Sequence, residues 1–154
     1  MTKPTIVFFG FDFMPKPTPK VFLRTLLYST STRGQVVEGM YAKVRVNGDQ
    51  QVFSFWGYGE AEKLSPGSGL YVSRNGLAAN HHFNPTVDDN AYHFKPGAYE
   101  IDVVAEIVGH PKPVTLTTIK LSLSDELSAA LEQKKGVLFE KTIDGVYEGH
   151  QRDR

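Results

Sequence analysis

The stretch Gln51-Val52-Phe53-Ser54-Phe55-Trp56-Gly57-Tyr58 carries aromatic rings at both odd and even positions, just after Asn47-Gly48. Successive side chains of a strand point to opposite faces, so a strand of this composition presents rings to both. Asn-Gly is the strongest short hairpin signal, because a type I′ turn needs positive φ at both central residues. The reading is therefore a hairpin of residues 36–46 and 50–58. Pairing across the turn puts Met40, Ala42, Val44 and Val46 on one face with Gln51, Phe53 and Phe55, and that face is the expected core. The other face collects Tyr41, Lys43 and Arg45 with Val52, Ser54, Trp56 and Tyr58.

That second face is the first candidate site. Rings stack on sugar C–H faces or on bases, and cations orient carboxylate or phosphate oxygens. Tyr41, Lys43, Arg45, Trp56 and Tyr58 are its expected ligand-binding residues, with carbohydrate the first ligand class. The same composition also suits a protein partner or a subunit interface in a homo- or hetero-oligomer, since aromatics and Arg concentrate in such contacts.

Strand signals continue on either side of the hairpin. Residues 5–13 and 20–29 are rich in Phe, Val, Leu and Thr, and the Pro-rich piece Met14–Pro19 reads as a stiff extended connector between them. Residues 98–108 alternate, with Tyr99, Ile101, Val103, Ala105 and Ile107 on one face and Glu100, Asp102 and Glu106 on the other. That acidic stripe reads as the wet face of a sheet, partly matched by Lys120. Residues 114–123 shift their apolar parity between Leu116 and Ile119, which predicts a bulge at Thr117-Thr118. Residues 137–143 and Val146-Tyr147 flank Asp144-Gly145, a second candidate two-residue hairpin turn.

One helix is expected. Ser124 is its N-cap, Asp125 and Glu126 face the positive dipole end, Lys134 and Lys135 occupy the last turn, and Gly136 is the C-terminal stop. Leu127, Ala130 and Leu131 form its apolar stripe.

The totals exclude several function classes. A chain of 154 residues is the size of one domain, and 40% hydrophobic content describes a globular, soluble chain. Lys plus Arg and Asp plus Glu both number 17, so no global field favours nucleic acid or an anionic membrane. Cysteine is absent, which removes disulfides, thiol nucleophiles and thiolate metal sites. The N-terminal residues have neither a cleavage signal nor an apolar span, so the expected compartment is the cytoplasm and no membrane is expected.

Residues 80–93 hold a second cluster. His81, His82, Asp88, Asp89 and His93 are ligand types for a divalent metal, yet neighbouring His81 and His82 on a strand would face opposite ways. The competing reading is a polar loop with turns at Asn84-Pro85 and Asp88–Asn90, and no cofactor is otherwise expected. No G-x-S-x-G elbow or phosphate-cradling glycine loop is present, and Pro66–Gly69 reads as a hairpin turn. Glu60 and Glu62 follow Trp56 and Tyr58 closely, but sequence spacing does not place two acids across a bond.

Seven to nine strands with one late helix indicate an all-β antiparallel sandwich, a small β-barrel being the alternative. Lys95-Pro96-Gly97-Ala98-Tyr99 and the alternating strand after it resemble the approach to strand F in immunoglobulin-like domains. The resemblance spans about residues 92–123, without the disulfide pair that many such domains carry, and implies an architecture rather than an activity. The expected function is a non-catalytic binding or interaction module.

Overall fold

The computed structural model describes residues 1–13, 16–59, 65–66, 69–85 and 92–152. Their strands are β1 (Ile6–Asp12), β2 (Thr18–Leu27), β3 (Gln35–Val46), β4 (Asp49–Phe53), β5 (Phe55–Tyr58) and β6 (Ser65–Pro66) in the first half. After these come β7 (Leu70–Val72), β8 (Leu77–Asn84), β9 (Gly97–Ile107), β10 (Val114–Leu123), helix α1 (Asp125–Glu132), β11 (Gly136–Lys141) and β12 (Tyr147–Arg152). One antiparallel sheet runs β12-β11-β1-β2-β8-β5-β6. The other runs β10-β9-β3-β4, and β7 pairs with the start of β3. Both sheets are open, so the architecture is a two-sheet β structure and not a closed barrel.

Local chemistry accounts for the hairpin between β3 and β4. Asn47 and Gly48 both have positive φ (52° and 84°), and Ala42 pairs with Phe53 and Val44 with Gln51. The core face of β3 is as its alternation requires: Met40, Ala42, Val44 and Val46 are buried with Phe53.

The strand does not continue past Phe53. Ser54 separates β4 from β5, and β5 joins the opposite sheet by pairing with β8. This overturns the single-strand reading of residues 50–58. Phe55, expected in the core, is 56% exposed, and Trp56, expected on the outer face, is 5% exposed. Crossing between sheets reverses which parity faces inward, because the two sheets turn opposite faces to the shared core.

Two further expectations are corrected by backbone geometry. The β11–β12 turn is a three-residue loop: the Gly145 N–H donates to Thr142 O and the Thr142 N–H to Val146 O, with positive φ at Gly145 alone. That is a type I turn closed by a left-handed glycine, whose twist also suits a hairpin. The bulge in β10 falls between Thr115 and Thr117, making Leu116 the extra residue and moving the buried parity to Ile119, Leu121 and Leu123.

Helix α1 begins as its sequence dictates, with the Ser124 side chain accepting from the Leu127 N–H. Its end differs. Gln133 is the C-cap, Lys134 takes the left-handed conformation (φ 63°), and Gly136 already belongs to β11.

One continuous core lies between the sheets. Phe9 is its aromatic hub, with ring centroids 4.8 Å from Phe94, 5.2 Å from Tyr99 and 5.1 Å from Phe139. Tyr99 is buried with its hydroxyl donating to Lys95 O at 2.5 Å, four residues upstream. Burial holds its phenol pKa well above the usual value. At the rim, Asn47 Nδ2 donates to Pro96 O and so ties the β3–β4 turn to the approach to β9.

Candidate functional site

The five residues expected to form one aromatic and basic face are divided between two sheets. Tyr41, Lys43 and Arg45 lie on the outer face of β3, as alternation requires. Their cations are matched by β9, whose register sets Asp102 opposite Lys43 and Glu100 opposite Arg45. The Arg45 guanidinium donates to Asp102 at 2.8 Å and to Glu100 at 2.9 Å. Thr118 donates to the other Asp102 oxygen at 2.7 Å. The hydrogen bond from Arg45 holds the Asp102 carboxyl below the ordinary carboxylate range. The acidic stripe of β9 is thus answered mainly by Arg45, and the surface is close to neutral.

Trp56 and Tyr58 turn instead toward the sandwich interior. The Trp56 indole N–H donates to His81 Nδ1 at 3.1 Å, and Tyr58 packs on Trp56 with its hydroxyl directed at Gly69 O. An acceptor at Nδ1 places the proton of neutral His81 on Nε2, which has no hydrogen-bond partner among the described residues. Burial, with a smaller contribution from His82, lowers the His81 pKa to about 4. Trp56, the single tryptophan, should therefore emit in the blue and resist acrylamide quenching. Red, readily quenched emission would contradict the two-sheet division.

Among the described residues the metal reading of residues 81–93 is not assembled. His81 faces the core; His82 lies on the other face of β8 against Phe22, ring centroids 4.8 Å apart. His93 is exposed in the segment before β9. Asp88 and Asp89 lie outside the described residues, as do Glu60 and Glu62, and the turn expected at residues 66–69 is only partly within them. No three His, Cys, Asp or Glu side chains come together as a metal site among the described residues.

An aromatic and cationic groove does form at the end of β1, where the outer face of the larger sheet meets the turn after α1. Consecutive Phe8 and Phe9 must point to opposite faces of β1, so Phe9 enters the core and Phe8 lies outside. The distal half of the Phe8 ring rests over Gly10, two residues further along the same strand, and over Gly136 of the neighbouring β11. A Cβ on Gly10 would lie 2.4 Å from the ring and one on Gly136 2.5 Å from it, so neither position accepts a side chain while Phe8 keeps its place. Glycine within a strand weakens it and often marks such a close approach.

Phe11 shares the parity of Phe9 and packs on the core ring of Phe94, centroids 6.1 Å apart, and with Phe13, 6.5 Å from it, borders the groove at the end of β1. Lys134 Nζ sits 4.6 Å from the centroid of Phe11, brought there by the left-handed turn after α1. Lys20 Nζ lies 5.9 Å from Phe8 and pairs with Asp12 at 2.9 Å. Asp12 also accepts from Asn84 Nδ2. Phe8, Phe11, Phe13, Lys20, Lys134 and Gly136 enclose about 160 Å³, room for one ring-sized group. These residues were missed by sequence reasoning, although Phe8-Phe9-Gly10-Phe11 carries the signal: rings at both parities of a strand and a glycine beside them.

No protein-family model matches the chain, and no curated protein matches it. Among solved structures it is similar to a family 123 glycoside hydrolase from Clostridium perfringens, studied for glycolipid glycan hydrolysis. The likeness has 17% sequence identity and a TM-score of 0.30, and covers 70% of this chain and 21% of that one. The chain thus spans about a fifth of that protein's length, and the likeness is too slight to carry fold or function.

Proposed function

We propose that the chain is a non-catalytic binding module of the immunoglobulin-like class that holds an acidic saccharide in the groove at Phe8. The class is supported by strand order. The run β1-β2-β8-β5 beside β4-β3-β9-β10 follows the A-B-E-D and C′-C-F-G arrangement of immunoglobulin sandwiches. Tyr99, near the start of the strand equivalent to F, bonds back to Lys95 O in the manner of a tyrosine corner. β11 and β12 extend the first sheet beyond that arrangement.

The observation that carries the binding reading is the Phe8 ring seated on Gly10 and Gly136 between two lysines. Its rings offer apolar surface to a pyranose. Lys134 Nζ has no carboxylate within 4 Å among the described residues and is placed to meet a sugar carboxylate. Asp12 and Asn84, beside Lys20, are groups that hydrogen-bond hydroxyls.

Titration with methyl glucuronide, followed by NMR, tests this. Saturable shifts at Phe8, Phe11 and Gly136 are expected, with a Kd of about 1 mM, near the affinity of about −4 kcal/mol that a single small ring can reach. Methyl glucoside should bind several-fold more weakly. Lys134→Asn removes the cation while keeping a residue that tolerates positive φ, and should erase the difference between the two sugars. Equal responses to both sugars in the native protein, or none, would rule out the acidic-saccharide reading.

A further inference from the structure

We infer that the outer face of the five-stranded sheet, at the end where β7 joins β3, is the surface through which two copies of this chain pair. The inference is independent of the groove, which lies on the other sheet.

Three apolar residues form one cross-strand row there. Val36 pairs with Tyr71 across β3 and β7, and the Val108 N–H donates to Val36 O at 3.0 Å. Tyr71 is 60% exposed, Val36 40% and Val108 59%. Their neighbours in sequence, Val37, Val72 and Ile107, are buried, so the row faces solvent by strand alternation and is no frayed part of the core. A contiguous exposed row of this kind is the usual mark of a contact surface, whereas isolated exposed apolar residues are not.

Tyr71 is already held in place. Its hydroxyl donates to Arg33 O at 3.2 Å, and its ring lies against Gly34 so closely that a Cβ there would come within 2.5 Å of the hydroxyl oxygen. Gly34 has a φ of 70°, which itself favours glycine. An exposed ring fixed before contact loses little side-chain entropy on association, the property of an interface anchor.

Charge selects the occupant. Arg33 lies at one end of the row along β3, whereas Glu38 and Glu106 lie at the other, all three exposed. A patch with both signs at opposite ends is complementary to itself under a twofold rotation, which brings Arg33 of each copy toward the acids of the other. A patch of one sign would instead require a differently charged partner. Equal totals of 17 basic and 17 acidic residues leave no net repulsion between copies at neutral pH.

Sedimentation equilibrium over a dilution series tests the pairing. A reversible monomer–dimer equilibrium is expected, shifted at least tenfold toward monomer by Val108→Lys. Arg33→Glu should weaken pairing similarly, and Arg33→Glu combined with Glu38→Arg and Glu106→Arg should restore it, because the reversed patch is again complementary to itself. Trp56 emission, unchanged in each variant, shows that the fold is kept. A native chain that stays monomeric up to about 1 mM, the weak limit of specific association at about −4 kcal/mol, overturns the inference. So does a dimer indifferent to Val108→Lys.

Discussion

Acidification from pH 7 to pH 4 is expected to remove roughly 3 kcal/mol of folding stability through His81 alone. The folded-state pKa is about 4 against an ordinary 6.5, because the ring is buried, with a smaller contribution from neighbouring His82. The unfolded chain therefore takes up a proton at a pH where the folded chain does not. The His81 contribution is fully present above pH 6.5 and declines as pH falls toward about 4. Each pH unit of that displacement amounts to about 1.4 kcal/mol, which yields the figure of roughly 3. Asp102, whose pKa is lowered by Arg45, adds to the loss at still lower pH. Urea unfolding at pH 7 and pH 4, read by Trp56 fluorescence, measures the difference. His81→Leu should flatten the pH dependence while costing about 1–3 kcal/mol at pH 7, since the indole N–H loses its acceptor. A native protein equally stable at both pH values would mean that His81 is hydrated and titrates normally.

Phe9→Ala should cost about 3–5 kcal/mol, the range for deleting a buried aromatic side chain, and its three ring contacts place it at the upper end. Domains of this size are stable by about 5–15 kcal/mol, so the variant should be marginal at room temperature. Phe9→Leu keeps most of the volume and should cost substantially less. Urea midpoints compare the three proteins. Phe8→Ala is the informative neighbour: Phe8 is one residue away but outside the core, so a loss as large as that of Phe9→Ala would mean that the groove is structural packing and not a binding surface.

Much of the fold was legible because its signals are local. Asn47-Gly48, Ser124 and the alternation from Tyr99 to Ile107 act through φ angles, a side-chain oxygen and strand parity over a few residues. The candidate site was less legible for a definite reason. Parity across residues 50–58 was carried through Ser54, where the chain changes sheets, so Trp56 and Tyr58 were placed beside Lys43 and Arg45 when they face the interior. Gly136 shows the same limit: beside a helix end it reads as a cap, yet its use is to make room for Phe8.

The amino-acid sequence by itself determined the all-β class, the hairpin at Asn47-Gly48, the start of the helix and the inward residues of β3 and β9, but not β8, whose residues from Asn80 on read as a polar loop. Each depends on backbone conformation and side-chain alternation within a short segment. Only the tertiary structure decided which sheet receives β5, what answers the acids of β9, and that Phe8, Lys20, Lys134 and Gly136 meet. Those pairings join residues up to about 130 positions apart, β1 against β11, and no local propensity specifies the partner of a strand edge. The shared core specifies it, by burying both sheets' apolar faces at once.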